Sequence, residues 1–256
     1  MRAFIAFFKK EVLEGARSGK LLALAVIFAL FGVMNPAIAK LTPWLLELLS
    51  DQLAESGMTV TDVTVNALTS WTQFFKNVPM ALIAFVLLLG GSFTREYENE
   101  TLILVLTKGL ARYKIVFAKT CYLLSVWTLG YWLCFAITYG YNAYFWDNGI
   151  ALGLFPAVTF YFVFGLFVVS LIVFFSVLER SYGVVLLSCG ASVLLFYLLS
   201  LIPKLSRLSP LALCDVSTLL VGAESASSFF LALLVSLGLS LLLIGVSIPI
   251  LNKKQL

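Results

Sequence analysis

The stretch "LFPAVTFYFVFGLFVVSLIVFFSVL", Leu154 to Leu178, contains no charged side chain. A bilayer's hydrocarbon core is about 30 Å thick, and a helix needs roughly 20 apolar residues to cross it. The run meets that length and is continuous, whereas a barrel strand alternates. Five other segments qualify as spans: Leu21 to Ala39, Val78 to Thr94, Cys121 to Tyr141, Gly183 to Ile202 and Phe229 to Leu251. The second is short, and Trp71 to Asn77 is expected to extend its helix. Of the 256 residues, 61% are hydrophobic and 12% charged, with mean hydropathy +1.04. A water-soluble fold of this length cannot hide so much apolar surface. The expected class is an all-α integral membrane protein with six transmembrane helices. Residues 1–20 read as an amphipathic helix before a single membrane domain, 21–256. No linker, low-complexity tract or internal repeat stands out.

Lysine and arginine set the orientation. With the N-terminus inside, thirteen of the 17 basic residues fall on the cytoplasmic side, and Lys40, Lys76, Lys204 and Arg207 fall outside. The positive-inside rule then gives N-in and C-in. Leu21 to Met34 followed by "NPAIAK" has the look of a signal-peptide core and cleavage site. Glu11 and Glu14 upstream speak against cleavage, so an uncleaved first span is expected. In the N-terminal helix Phe4, Ile5, Phe7, Phe8, Val12 and Ala16 share one side, which suits the inner headgroup layer. Glu11 lands among them, either reaching water from the helix edge or contacting a neighbouring element. Outside, Thr42 reads as an N-cap, with Pro43 first in a helix ending at Gly57. Its Glu47, Asp51 and Glu55 form an acidic stripe, read as a solvated face or a cation site. Ser209, Pro210 and Gly222 frame a second outer helix, too short to span. The four cysteines lack metal or redox spacing, and no disulfide is expected.

The absences exclude chemistry. With no histidine, imidazole bases and proton relays are gone, and so are most catalytic zinc sites. No Asp, Glu, Lys or Arg lies deep in the expected spans, where ion-coupled carriers keep relay groups at a cost of about 3 kcal/mol or more. "GARSGKL" at Gly15 to Leu21 is one residue short of a phosphate loop and has Leu21 in place of its Ser or Thr. The chain is therefore expected to be no enzyme and to carry no cofactor.

The informative stretch is "REYENETLILVLTKGLARYKIVFAK", Arg95 to Lys119, in the cytoplasmic loop. Leu102 to Leu106 is too short to span. A helix is expected from about Asn99 or Thr101 to Gly109, with a new one starting at Leu110 and carrying Arg112 and Lys119 on one face. The leucines either tuck under the inner leaflet or anchor a soluble partner. Glu96, Glu98, Glu100 and Lys108 would form the charged rim of such an anchor.

This loop resembles that of type-2 ABC exporter permeases, which reads Glu-x-x-x-Gly-Thr-Leu, then leucines, then Pro-x-Ser-Arg and a lysine. Glu96 or Glu98, Thr101, Leu102, Leu106, Arg112 and Lys119 match. Glu100 replaces the glycine, and Gly109 and Ala111 replace the proline and serine. "KKEVLEGARS" is similar to the family's elbow helix through Lys10, Glu11 and Arg17. "LSPLALCDVSTLLVG" is similar to its outer re-entrant segment. The resemblance implies a permease subunit in a bacterial cell membrane. It would pair with a second copy or a paralogue and with two ATPase subunits that bind ATP and Mg. Residues 101–108 would be the coupling helix, reaching the ATPase through Glu96, Glu98, Glu100, Thr101, Leu102, Leu106, Lys108 and Arg112. The uncharged spans suit an apolar or amphipathic cargo, such as a peptide or drug. Thr128, Tyr131, Phe135, Thr138 and Asn142 recur at helical spacing, either lining a cleft or packing helices. A membrane anchor or sensor for a soluble partner is the alternative, and a self-contained carrier is disfavoured. Nothing points to nucleic acid. Cysteines introduced at Glu55 and Ala223 should react with an impermeant maleimide from outside sealed cells, and one at Asn99 only after lysis. External labelling at position 99 would reverse the topology.

Overall fold

The structure, a computed structural model, describes residues 2–48, 65–98, 107 and 111–254, and among these there is no strand. The long helices are α1 (Arg2–Arg17), α2 (Lys20–Leu48), α3 (Ala67–Leu89), α4 (Arg112–Phe145), α5 (Leu154–Leu178), α6 (Tyr182–Ser200) and α7 (Phe230–Lys253). Six helices, one at each expected span, are long and apolar enough to cross a membrane. α3 takes in Trp71 to Asn77, as its sequence suggests, and a short helix, Thr94–Glu98, follows it. Gly19 makes the turn from α1 to α2 at φ 73°, a left-handed conformation costly to residues with a Cβ. Asn66 starts α3, its Oδ1 accepting from the Thr69 amide at 3.2 Å.

α5 is the most enclosed helix of the bundle, packed against α4, α6 and α7. Lipid gives helices no hydrophobic reason to associate, so close backbone approach and dispersion must do it. Gly165 lies under the Trp127 indole, where a Cβ would overlap the ring. α7 turns a buried line of small residues inward: Ala232, Ser236, Ser240 and Ser247. Those serines donate back to their own helix, Ser236 to the Ala232 carbonyl and Ser240 to that of Ser236, both at 2.7 Å. They need no partner across the interface.

α2 and α4 run side by side in the same direction. Phe28 lies against Gly130, Gly32 against the Cys134 backbone, and the Lys40 ammonium sits 3.6 Å from the centre of the Phe145 ring. Pro36 has no amide hydrogen, so the Gly32 carbonyl one turn earlier loses its helical donor. The Thr138 hydroxyl supplies one at 3.0 Å. Asn35 Nδ2 donates to Thr138 Oγ1 at 3.2 Å, and Asn77 Nδ2 to Asn35 Oδ1 at 2.9 Å. One buried polar chain thereby ties α2, α3 and α4 together.

Three boundaries differ from the sequence reading. Thr42 does not cap a separate helix, because α2 continues through Pro43 to Leu48. Its hydroxyl instead donates back to the Ile38 carbonyl of its own helix at 2.7 Å. Ser209 does cap, accepting from the Leu211 amide at 3.3 Å, and Gly222 turns at φ 70°. Between them, however, lie a 3-10 segment, Pro210–Cys214, and one helical turn, Ser217–Leu220. The buried residues Pro210, Leu213, Val216 and Leu219 recur every three, a 3-10 period rather than an α-helical one. Finally, Ala111 is extended, so α4 begins at Arg112 rather than at Leu110.

Replacing Thr138 by Val keeps the shape but strands the Gly32 carbonyl and the Asn35 amide. The solubilised chain should lose about 1–3 kcal/mol in reversible unfolding, and Thr138→Ser should recover most of it. Equal behaviour of the two variants would show that the hydroxyl contributes nothing.

Candidate functional site: a buried charge cluster

The site grows from one stripe of α1. Phe7, Glu11 and Gly15 are each one turn apart and meet a matching line on α4: Ile115 with Ala118, Lys119, then Tyr122. Phe7 is buried against Ile115 and Ala118. Gly15 lies against the Tyr122 hydroxyl, where a Cβ would clash. Packing at both ends carries Glu11 and Lys119 inside; they are 4% and 1% exposed. Glu11 is therefore not at a helix edge reaching water, and contact with a neighbouring element is what the structure has.

Lys119 Nζ donates to Glu11 Oε2 at 2.9 Å and to the Ser92 carbonyl at 2.8 Å, and lies 3.4 Å from Glu96 Oε2. The rings of Phe93 and Phe7 flank it, with centroids at 5.2 and 5.8 Å. Glu96, 4% exposed, comes from the short helix after α3. Lys10 closes the ring from the solvent side: it bonds Glu96 and lies 3.3 Å from Glu11 and 3.1 Å from Glu14. Burial alone would lower the Lys10 pKa, but Glu96, Glu11 and Glu14 together hold it above its ordinary value. Burial, with help from the Glu96 carboxylate, raises that of Glu11 in spite of Lys119. Glu14, which burial would raise, is lowered by its bond to Lys10. The oxygens of Glu11, Glu14 and Glu96 lie within 4.8 Å of one another, close enough for a cation. Two ammonium groups already hold that space. The arrangement suits it to fixing three chain segments against one another.

A second set of contacts adjoins the first. Arg112 Nη1 donates to the Leu251, Asn252 and Lys254 carbonyls at 2.7, 3.0 and 2.8 Å, capping α7. Lys254 Nζ caps α5 through Val177, Leu178 and Glu179 at 2.7, 3.1 and 3.3 Å, and lies over the Tyr97 ring. Cations at helix C-termini meet both the unpaired carbonyls and the negative end of the dipole. Both flanks of residues 99–110 are thus tied down: Glu96 and Tyr97 on one side, Arg112 on the other.

The other residues singled out from the sequence fall as follows. Glu98 is exposed at the end of its helix, and Arg17 is exposed on the last turn of α1, lining a surface cavity with Lys10 and Glu14. Glu100, Thr101, Leu102, Leu106 and Lys108 lie outside the described residues, as do Asp51 and Glu55 of the acidic stripe. The line on α4 faces the chain's own interior. Thr128 donates to the Leu124 carbonyl, and Tyr131 to that of Val158 on α5, both at 2.7 Å. Phe135 stacks among Trp71, Trp132 and Tyr139, and Thr138 belongs to the polar chain. Asn142 is fully buried, and neither atom of its amide has a partner. The sequence reading gave Lys119 no place among its site residues. The signal was a lysine on the otherwise apolar line of Ile115, Ala118 and Tyr122. Asn35 and Asn77 carry no charge, so a scan of the spans for Asp, Glu, Lys and Arg does not mark them.

No protein-family model matches the chain, and no curated protein matches it.

Removing one partner of a buried pair leaves a charge stranded, at about 3–5 kcal/mol. Lys119→Met should sharply lower the melting temperature of the solubilised protein, and adding Glu11→Gln should restore part of the loss. Additive effects in that double-mutant cycle would mean that the two side chains are not coupled.

Proposed function

We propose that the chain is the membrane-spanning permease subunit of an ATP-driven exporter of the ABC type, with residues 101–108 as its coupling helix. The observation that carries the reading is the anchoring of both flanks of residues 99–110. Glu96 is tied to α1 and α4, and Arg112 to the end of α7. A partner pressing on such a segment would displace helices rather than a free loop. With the N-terminus inside, this charged end faces the cytoplasm, where an ATPase would meet it. Two ATPase subunits would bind ATP and Mg, and a second permease copy or a paralogue would complete the pathway. The cargo would be apolar or amphipathic, moved outward.

Leu102→Asp combined with Leu106→Asp would bury two unpaired carboxylates in the ATPase groove, at several kcal/mol. The double variant should insert normally yet fail to co-purify with its ATPase partner. In vesicles, cargo movement should stop when the ATPase's hydrolytic residues are replaced and should survive collapse of proton and sodium gradients. Normal co-purification of the double variant would leave an anchor or sensor role. Gradient-driven movement by this chain alone would make it a secondary carrier.

A further inference from the structure

Two cavities share a wall. The first, about 490 Å³, lies between α3, α5 and α6 and is lined by apolar side chains such as Leu82, Phe164 and Val193. The second, about 640 Å³, lies beyond the end of α6 and carries Arg207, Asp215 and Glu224. Leu211 and Cys214, both on the 3-10 segment Pro210–Cys214, line both. At the end of the apolar cavity nearer α1 the Tyr182 hydroxyl donates to the carbonyl of Leu87, a lining residue, and the Tyr182 ring packs on Gly91 at about 3.1 Å from a Cβ position there. At its other end the apolar cavity meets the polar one at Leu211 and Cys214, and between α3 and α6 it opens sideways, where Ile83 and Leu87 are exposed.

An apolar chamber joined to a polar one matches a molecule with the same two parts. We propose that the pair of cavities binds a single-chain zwitterionic amphiphile. Its alkyl tail lies between α3 and α6, and its headgroup lies beyond the 3-10 segment. The tail chamber falls within the usual size range of small-molecule sites and offers almost only carbon. In the head chamber Arg207 has no carboxylate partner among the described residues and would receive an anionic group such as a phosphate. Asp215 and Glu224 would receive the cationic end. The proposal names a cargo class for the exporter reading and rests on that reading for the direction of movement; binding itself does not require it.

Gly190 makes the test possible. It lines the tail chamber, and a Cβ built there meets nothing within 4 Å, so a large side chain enters the empty space. Gly238 on α7 is equally open and lies outside the chamber. The full chain, in nanodiscs of diacyl phosphatidylcholine, is photolabelled with a hexadecyl phosphocholine carrying a diazirine in its tail. Cross-links should concentrate on the facing sides of α3 and α6. Gly190→Trp should cut them by about tenfold or more, while Gly238→Trp leaves them unchanged. Arg207→Glu should weaken competition by unlabelled hexadecyl phosphocholine by roughly tenfold, the weight of one charge-assisted bond. Labelling spread evenly over outward-facing residues such as Leu187, Leu194 and Leu241, and indifferent to Gly190→Trp, would mean annular lipid only and overturn the proposal. Equal labelling by a diacyl probe would overturn it as well. The assay needs no ATPase. Cross-linking without ATP-driven transport would sink the exporter reading alone, and transport of a cargo without cross-linking would sink this proposal alone.

Discussion

The Lys119 ammonium is the point where three separate parts of the chain meet. Glu11 arrives from the N-terminal helix, and Glu96 and the Ser92 carbonyl arrive from the end of α3. Lys119 itself stands two turns into α4. An ammonium this deeply buried is tolerable only with its hydrogen bonds filled and its charge matched. Each of the three segments is therefore held where the others need it. α1 is short and half exposed, and the flat packing of Phe7 on α4 does not fix its position along that helix. The ion pair does, because sliding α1 by one turn would part Glu11 from Lys119 and Lys10 from Glu96.

The same rule acts without charge at the other end of the bundle. In hydrocarbon a polar group cannot turn to water, so every freed carbonyl must find a donor within the protein. Pro36 frees the Gly32 carbonyl and thereby creates a demand that Thr138 meets. Thr138 in turn orders Asn35, and Asn35 orders Asn77. Between these two polar ties the helices associate through small residues and rings, the indole of Trp127 over Gly165 and the ring of Phe28 against Gly130. Non-directional packing sets how closely the helices approach, and the polar ties at either end set their register.

This division explains what could be read from the sequence. Span number and placement were legible because continuous apolar length needs no knowledge of neighbours. Pro43 is ambiguous because proline at the start of a helix and proline inside a membrane helix look alike locally. The difference lies in whether the chain before it is already helical, as α2 is. The segment from Ser209 to Gly222 showed its ends through a serine cap and a glycine turn. Its interior follows a three-residue spacing of buried side chains that only contact with α5 makes meaningful. In the site, Glu11 drew notice by sitting among phenylalanines. Lys119 and Arg112 share a helix face by spacing, yet one points at carboxylates and the other caps α7. Long flexible side chains separate what periodicity puts together.

Residues 87–96 join the two regions of interest over ten residues. At one end the Leu87 carbonyl accepts from Tyr182, and Gly91 gives that ring its seat. The Gly90 carbonyl accepts from Ser176 on α5 at 3.3 Å. At the other end the Ser92 carbonyl and the Glu96 carboxylate meet Lys119. The floor of the apolar chamber and the charged cluster are therefore built on one stretch of backbone. Two glycines without side chains of their own leave it held by its neighbours. The Leu87 and Gly90 carbonyls and the Glu96 carboxylate thus hold this stretch from two sides, with α6 and α5 on one and α4 on the other.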